Sequence, residues 1–127
     1  MPDVISDPAR FSEAIARFDA AHGEDPAREV FDGGEVPAEL AYARRMSGWL
    51  ERLAPDASEA LRLAARCQHI RRWTVPRSEY PNGRTGYMRW RTALARFHAE
   101  TAGRILRDVG YDGETVRRVQ GLVRKER

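Results

Sequence analysis

The sequence predicts an all-α fold, a single domain of about five helices spanning residues 1–127. Three observations lead there. Apolar residues recur at intervals of three and four in five separate segments, the period of one helix face. Capping residues, prolines or glycines bound each segment. No stretch alternates apolar and polar residues as a half-buried strand does, and no internal repeat is present. A chain of this length buries roughly two thirds of its unfolded surface and keeps a core without covalent staples.

Asp7-Pro8 reads as N-cap and first turn of helix one, in which Phe11, Ala14, Ile15, Phe18 and Ala21 form one stripe before His22-Gly23 closes it. Residues 24–36, with Pro26 and Gly33-Gly34, read as an ordered loop that Phe31 pins to the core. Pro37 opens helix two, whose Leu40, Ala43, Met46, Trp49, Leu50 and Leu53 repeat at helical spacing up to Ala54-Pro55. Asp56 with Glu59 resembles a capping box for helix three, expected from Ala57 to about Trp73. Its apolar residues cover more than one stripe, which predicts a central helix. Residues 74–85 contain Pro76, Pro81 and Asn82-Gly83 and read as an ordered loop of a length uncommon without a role. Helix four runs from Gly86 to about Val109, with Tyr87, Trp90, Leu94, Phe97, Thr101, Ile105 and Val109 along one side and Gly110 as its cap. Asp112 caps helix five, which turns Val116, Val119, Leu122 and Val123 inward.

Composition narrows the function classes. The net charge is +3, and 21 of the 22 basic residues are arginine, Lys125 being the exception. In so arginine-biased a chain only the placement of a guanidinium is informative. Cys67 is the one cysteine, so no internal disulfide framework is possible. No basic, apolar leader and no run of eighteen apolar residues appears, which predicts a cytoplasmic protein without a membrane span. The phosphate-loop, dinucleotide, nucleophile-elbow and CxxC motifs are missing.

The segment with most chemistry is Arg66-Cys67-Gln68-His69-Ile70-Arg71-Arg72-Trp73, followed by Pro76-Arg77 and Tyr80-Pro81. It gathers more polar groups than a helix end needs for packing, and its guanidiniums favour an anion. A phosphorylated small molecule is the expected guest, with Arg71, Arg72, Arg77 and Arg91 neutralising it and Gln68 and Tyr80 orienting it. His69 and His98 are the candidates for proton transfer. Each has a plainer reading, His69 as a cap on a helix C-terminus and His98 as a hydrogen-bonded core residue. Two rival functions remain open. The same arginines with Trp73, Tyr80 and Trp90 would suit an RNA-binding module, or the cluster would only stiffen a structural domain. No cofactor is indicated, and neither histidine has an adjacent carboxylate of the kind that supports a metal ligand.

The blocks Trp49-Leu50-Glu51-Arg52-Leu53-Ala54-Pro55, Gln68-His69-Ile70-Arg71-Arg72-Trp73, Pro76-Arg77-Ser78, Tyr80-Pro81, Arg89-Trp90-Arg91 and Phe97-His98-Ala99-Glu100 resemble the domain-of-unknown-function 4202 family of bacteria and fungi. The resemblance covers nearly the whole chain and assigns no reaction. More distantly, the helix order resembles that of HD-domain phosphohydrolases, in which a central helix ends in His-Asp. Here that position reads His69-Ile70, and the pattern's earlier histidine falls near Arg44 or Arg45. The resemblance therefore implies an HD-like, orthogonal helical arrangement of degenerate type with no bound metal. Family members continue past Arg124-Lys125-Glu126, so the chain reads as a C-terminally short member, with a homodimer expected through an exposed apolar face of helix five.

Overall fold

The computed structural model describes residues 5–125 and is predominantly α-helical. Helix α1 spans Pro8–His22, and the Asp7 side chain accepts from the Arg10 amide at 3.2 Å. Helix α2 spans Ala38–Leu53 and α3 Glu59–Cys67. Two 3₁₀ turns, Arg72–Thr74 and Arg77–Glu79, lead into α4, Arg84–Val109. Helix α5 is Gly113–Val123, with the Asp112 side chain accepting from the Thr115 amide. Among the described residues no helix is long and apolar enough to cross a membrane.

The structure corrects four sequence expectations. Residues 24–36 are not a plain loop, because Arg28–Phe31 (β1) and Gly34–Pro37 (β2) pair antiparallel as a hairpin. Its connection is Asp32-Gly33, both at positive φ (54° and 83°), the geometry of a two-residue turn that fits strand twist and favours Asp-Gly. Helix α3 stops at Cys67 rather than Trp73. Arg71 adopts φ 54°, ψ 34°, a left-handed bend no α-helix accommodates. The stripe expected on α2 is buried only in its first turns: Ala43 is buried and Leu40, Met46 and Leu50 are half-buried, while Trp49 and Leu53 are 53% and 76% exposed. The apolar side of α5 is not an open face, since Val116, Val119 and Val123 are already buried within the chain's own core.

That core joins four helices. Ala14 and Phe18 of α1, Leu63 and Cys67 of α3, Leu106 of α4 and Val116 and Val119 of α5 are fully buried in one cluster, with Ile70 just past the end of α3. Each such large aliphatic contributes about 1.5–3 kcal/mol relative to exposure. Helix α3 is central, packed against α1, α2 and α5. Gly110, at φ 106°, lets the chain reverse into α5, and its amide caps Leu106 and Arg107 carbonyls.

Candidate functional site

The end of α3 is built to hold one side chain out. Cys67 and Ile70 are both 0% exposed and anchor the turn in the core, while i→i−3 hydrogen bonds from the Ile70 amide to Cys67 and from the Arg72 amide to His69 wind it tightly. Between these anchors His69 projects toward α4. Its ring stacks on Tyr42 of α2 at 4.5 Å between centroids, with 13° between planes, and its other neighbour is the His98 ring at 5.9 Å.

His98 sits on the inner face of α4, 4% exposed, and its Nε2 is buried with no hydrogen-bond partner. An orphaned buried polar atom costs about 1–3 kcal/mol, so such atoms are rare in settled cores. Both rings line a pocket of about 100 Å³ together with Gln68, Arg72, Arg91 and Lys125. Burial first, and then the Arg72 guanidinium with the Lys125 and Arg91 cations, push His69 down to about 4. Burial, the neighbouring His69 ring, Arg72 and Lys125 push His98 down to about 3. Both imidazoles are neutral at physiological pH. The pocket is therefore cationic through Arg72, Arg91, Arg124 and Lys125, and its histidines accept or donate hydrogen bonds without charge.

The structure brings together Gln68, His69, Arg72, Arg91 and His98 of the residues singled out from sequence. It places three others elsewhere. Arg71 turns away and binds Glu24 through Nε and Nη2, at 3.1 and 3.2 Å, stabilising its own left-handed bend. Arg77 donates to the carbonyls of Tyr80, Pro81 and Gly83 and so ties up the loop. Tyr80 lies on an outer groove with Arg84, Arg89 and Arg96. Gly86 explains the tightness of that loop, because a Cβ there would meet the Pro81 carbonyl oxygen at 1.7 Å.

Several members of the site were missed in sequence. Tyr42 and Glu39 are three residues apart on α2, and that spacing on one helix face was the available signal. Burial and the nearby Asp25 raise the Glu39 carboxyl to about 7, against the opposing pull of Arg72. Asp25, 4% exposed, accepts from the Ala27 and Glu39 amides and so joins the hairpin to α2. His22, read as a simple cap, is 1% exposed, with Nε2 at 2.9 Å from the Arg66 carbonyl, and burial lowers its pKa. Trp90 fixes the floor by donating from Nε1 to the Val75 carbonyl at 2.7 Å, with Arg72 over its ring at 5.3 Å. Cys67 is pushed up to about 12 by burial and is chemically inert. Among the described residues no group of three or more His, Cys, Asp or Glu side chains is placed to hold a metal ion.

A family model described as domain of unknown function (DUF4202) matches residues 12–127, and the chain belongs to that family. No curated protein and no solved structure matches the chain.

Proposed function

We propose that the pocket between the end of α3 and α4 is a receptor for the phosphoryl group of a small phosphorylated molecule. One observation carries this: the Nε2 of His98 is buried without a partner in a pocket that four cations line. A phosphate oxygen would give that nitrogen its hydrogen bond, and Arg72, Arg91 and Lys125 would balance the charge. The guanidinium of Arg72 is preoriented by Trp90, which lowers the ordering cost of a charge-assisted contact.

Binding, rather than ester hydrolysis, is what the imidazoles favour. A general base works best with a pKa near the operating pH, and His98 lies at about 3. The residue after His69 is Ile70, fully buried in the core, so it offers no ligand where an HD-type metal centre has its aspartate. The smallness of the inner pocket suits a phosphoryl group and not a whole nucleotide.

A thermal-shift titration with inorganic phosphate and with a phosphosugar tests the proposal. A ligand at a hundred times its Kd adds about 2.7 kcal/mol to apparent stability. The wild type should shift with both phosphorylated probes and not with the uncharged sugar. Arg72→Ala and Arg91→Ala, both at exposed positions, should fold normally and lose the shift. No shift at millimolar phosphate, or an equal shift in the variants, would show the proposal to be wrong.

A further inference from the structure

The inner pocket does not end at His98. It shares Arg91, Ala95, Arg124 and Lys125 with a groove of about 830 Å³ that continues outward along α4. That groove in turn shares Met88, Thr92 and Arg96 with a further one of about 530 Å³ that reaches Tyr80, Arg84 and Arg89. The three are one continuous track down a single face of α4. From Arg84 to Arg96 it covers about 18 Å of helix, several phosphate spacings long.

The lining separates this track from the rest of an arginine-rich surface. Elsewhere six guanidiniums are occupied, Arg17 by Glu13, Arg45 by Glu29, Arg66 by Asp19 and Arg71 by Glu24, and Arg62 and Arg77 by backbone carbonyls. Among the described residues Arg84, Arg89, Arg91 and Arg96 form no salt bridge. Glu100 is the one carboxylate lining the two outer grooves. The comparably large groove between α3 and α5 has Arg117 and Arg118 but also Glu59, Asp112 and Glu114, so its carboxylates outnumber its cations. On the α4 track, flat apolar surface lies between the cations, with Tyr87 43% and Met88 53% exposed, and the Tyr87 ring held against Trp90 at 5.9 Å. Cations spaced along a groove with aromatic rings between them hold successive phosphates and let bases stack, without a requirement for particular bases.

We infer that the guest is a single-stranded nucleic acid bearing a terminal phosphate, its end phosphoryl seated at His98 and the following nucleotides laid along α4 over Tyr87, Arg91 and Arg96. The inference rests on the phosphate reading of the inner pocket and adds the polymer. A simple phosphosugar would leave the outer track unused.

The test compares, by fluorescence competition, a short single-stranded oligonucleotide carrying a 5′-phosphate, the same strand without it, a nucleoside 5′-monophosphate, and phosphatidylserine vesicles. The phosphorylated strand should bind at least about tenfold tighter than the monophosphate, and its affinity should fall by about twentyfold between 50 and 200 mM salt if three phosphates are contacted, at a slope near −0.7 per phosphate. The unphosphorylated strand should be weaker again. Arg84→Glu/Arg96→Glu, at exposed positions, should remove the gain of the strand over the monophosphate and leave monophosphate binding unchanged. Equal affinity for strand and monophosphate overturns the polymer and spares the inner pocket; no binding of either overturns both. Strand binding that ignores the terminal phosphate or the double substitution, or vesicles that outcompete the strand, also overturns the inference.

Discussion

Replacing His98 by leucine should make the protein more stable and abolish its response to phosphate. The ring is 4% exposed and neutral, with Nε2 unpartnered. Removing a buried unsatisfied polar atom recovers about 1–3 kcal/mol. Leucine is close to histidine in volume, so the cavity or overpacking cost is small. Against this stands the lost contact of the ring with His69 and Phe97, each at 5.9 Å between centroids, for which about 1 kcal/mol is a fair allowance. The net expectation is a gain of about 1 kcal/mol, or roughly 4 °C in melting temperature for a domain of this size. Thermal and urea melts followed by circular dichroism, with and without phosphate, read both quantities. His98→Asn is the control: it keeps a polar group in the same place and should not be stabilised. The trade of stability for binding is the signature of a site held open for a guest. A His98→Leu protein that loses more than about 2 kcal/mol and still melts higher with phosphate would refute the reasoning and return His98 to the core as an ordinary packing residue.

Other outcomes follow from the same geometry. His69 and His98 are depressed to about 4 and about 3, so their contribution is whole above the unfolded value of 6.5 and is lost as pH falls toward 4. Glu39 is raised from 4.5 to about 7, so its contribution is present below 4.5 and lost as pH rises through 7. Urea midpoints should therefore climb more steeply between pH 5 and pH 7 in Glu39→Gln than in wild type, and parallel profiles would contradict the assignment. Asp19→Asn breaks the paired contacts of Arg66 at 2.9 and 2.7 Å, with side chains 15% and 24% exposed, and should cost about 2–3 kcal/mol by chemical denaturation. Gly86→Ala drives a Cβ into the Pro81 carbonyl, 1.7 Å from its oxygen and 2.6 Å from its carbon, and should cost about 3 kcal/mol or force the 74–85 loop to refold, visible as a loss of near-ultraviolet dichroism from Trp90. An unchanged melt would show that the loop yields freely.

Much of the fold was legible because its signals are local. Asp7-Pro8, Gly110 and Asp112 mark helix ends through their own side chains or their own φ, and all three lie where the sequence places them. The hairpin was hidden by brevity. Two strands of four residues, Arg28–Phe31 and Gly34–Pro37, leave too few positions for an alternation to show, and only Asp32-Gly33 announced them. The length of α3 was misread because the bend at Arg71 is fixed by a tertiary partner, Glu24, 47 residues away in sequence. The same fact removed Arg71 from the site. Composition around residues 66–81 singled out Gln68, His69 and Arg72, which line one pocket, yet it gave no means of separating arginines that fasten backbone, such as Arg77, from those left facing that pocket, such as Arg72 and Arg91. Tyr42 and Glu39 escaped because their helix carries its exposed apolar residues, Trp49 and Leu53, at the spacing a buried stripe would have.

A phosphoryl group bound in the inner pocket is expected to meet the unpartnered nitrogen of His98. Imidazole ¹⁵N spectra of the uniformly labelled protein, recorded at neutral pH as inorganic phosphate is added, examine that contact directly, and His22 serves as an internal reference because its Nε2 is already engaged with the Arg66 carbonyl. The account predicts that the Nε2 resonance of His98 and the signals of His69 move together and saturate at one Kd while His22 stays in place. Spectra in which none of the three moves up to saturating millimolar phosphate, or in which all move alike, would contradict it.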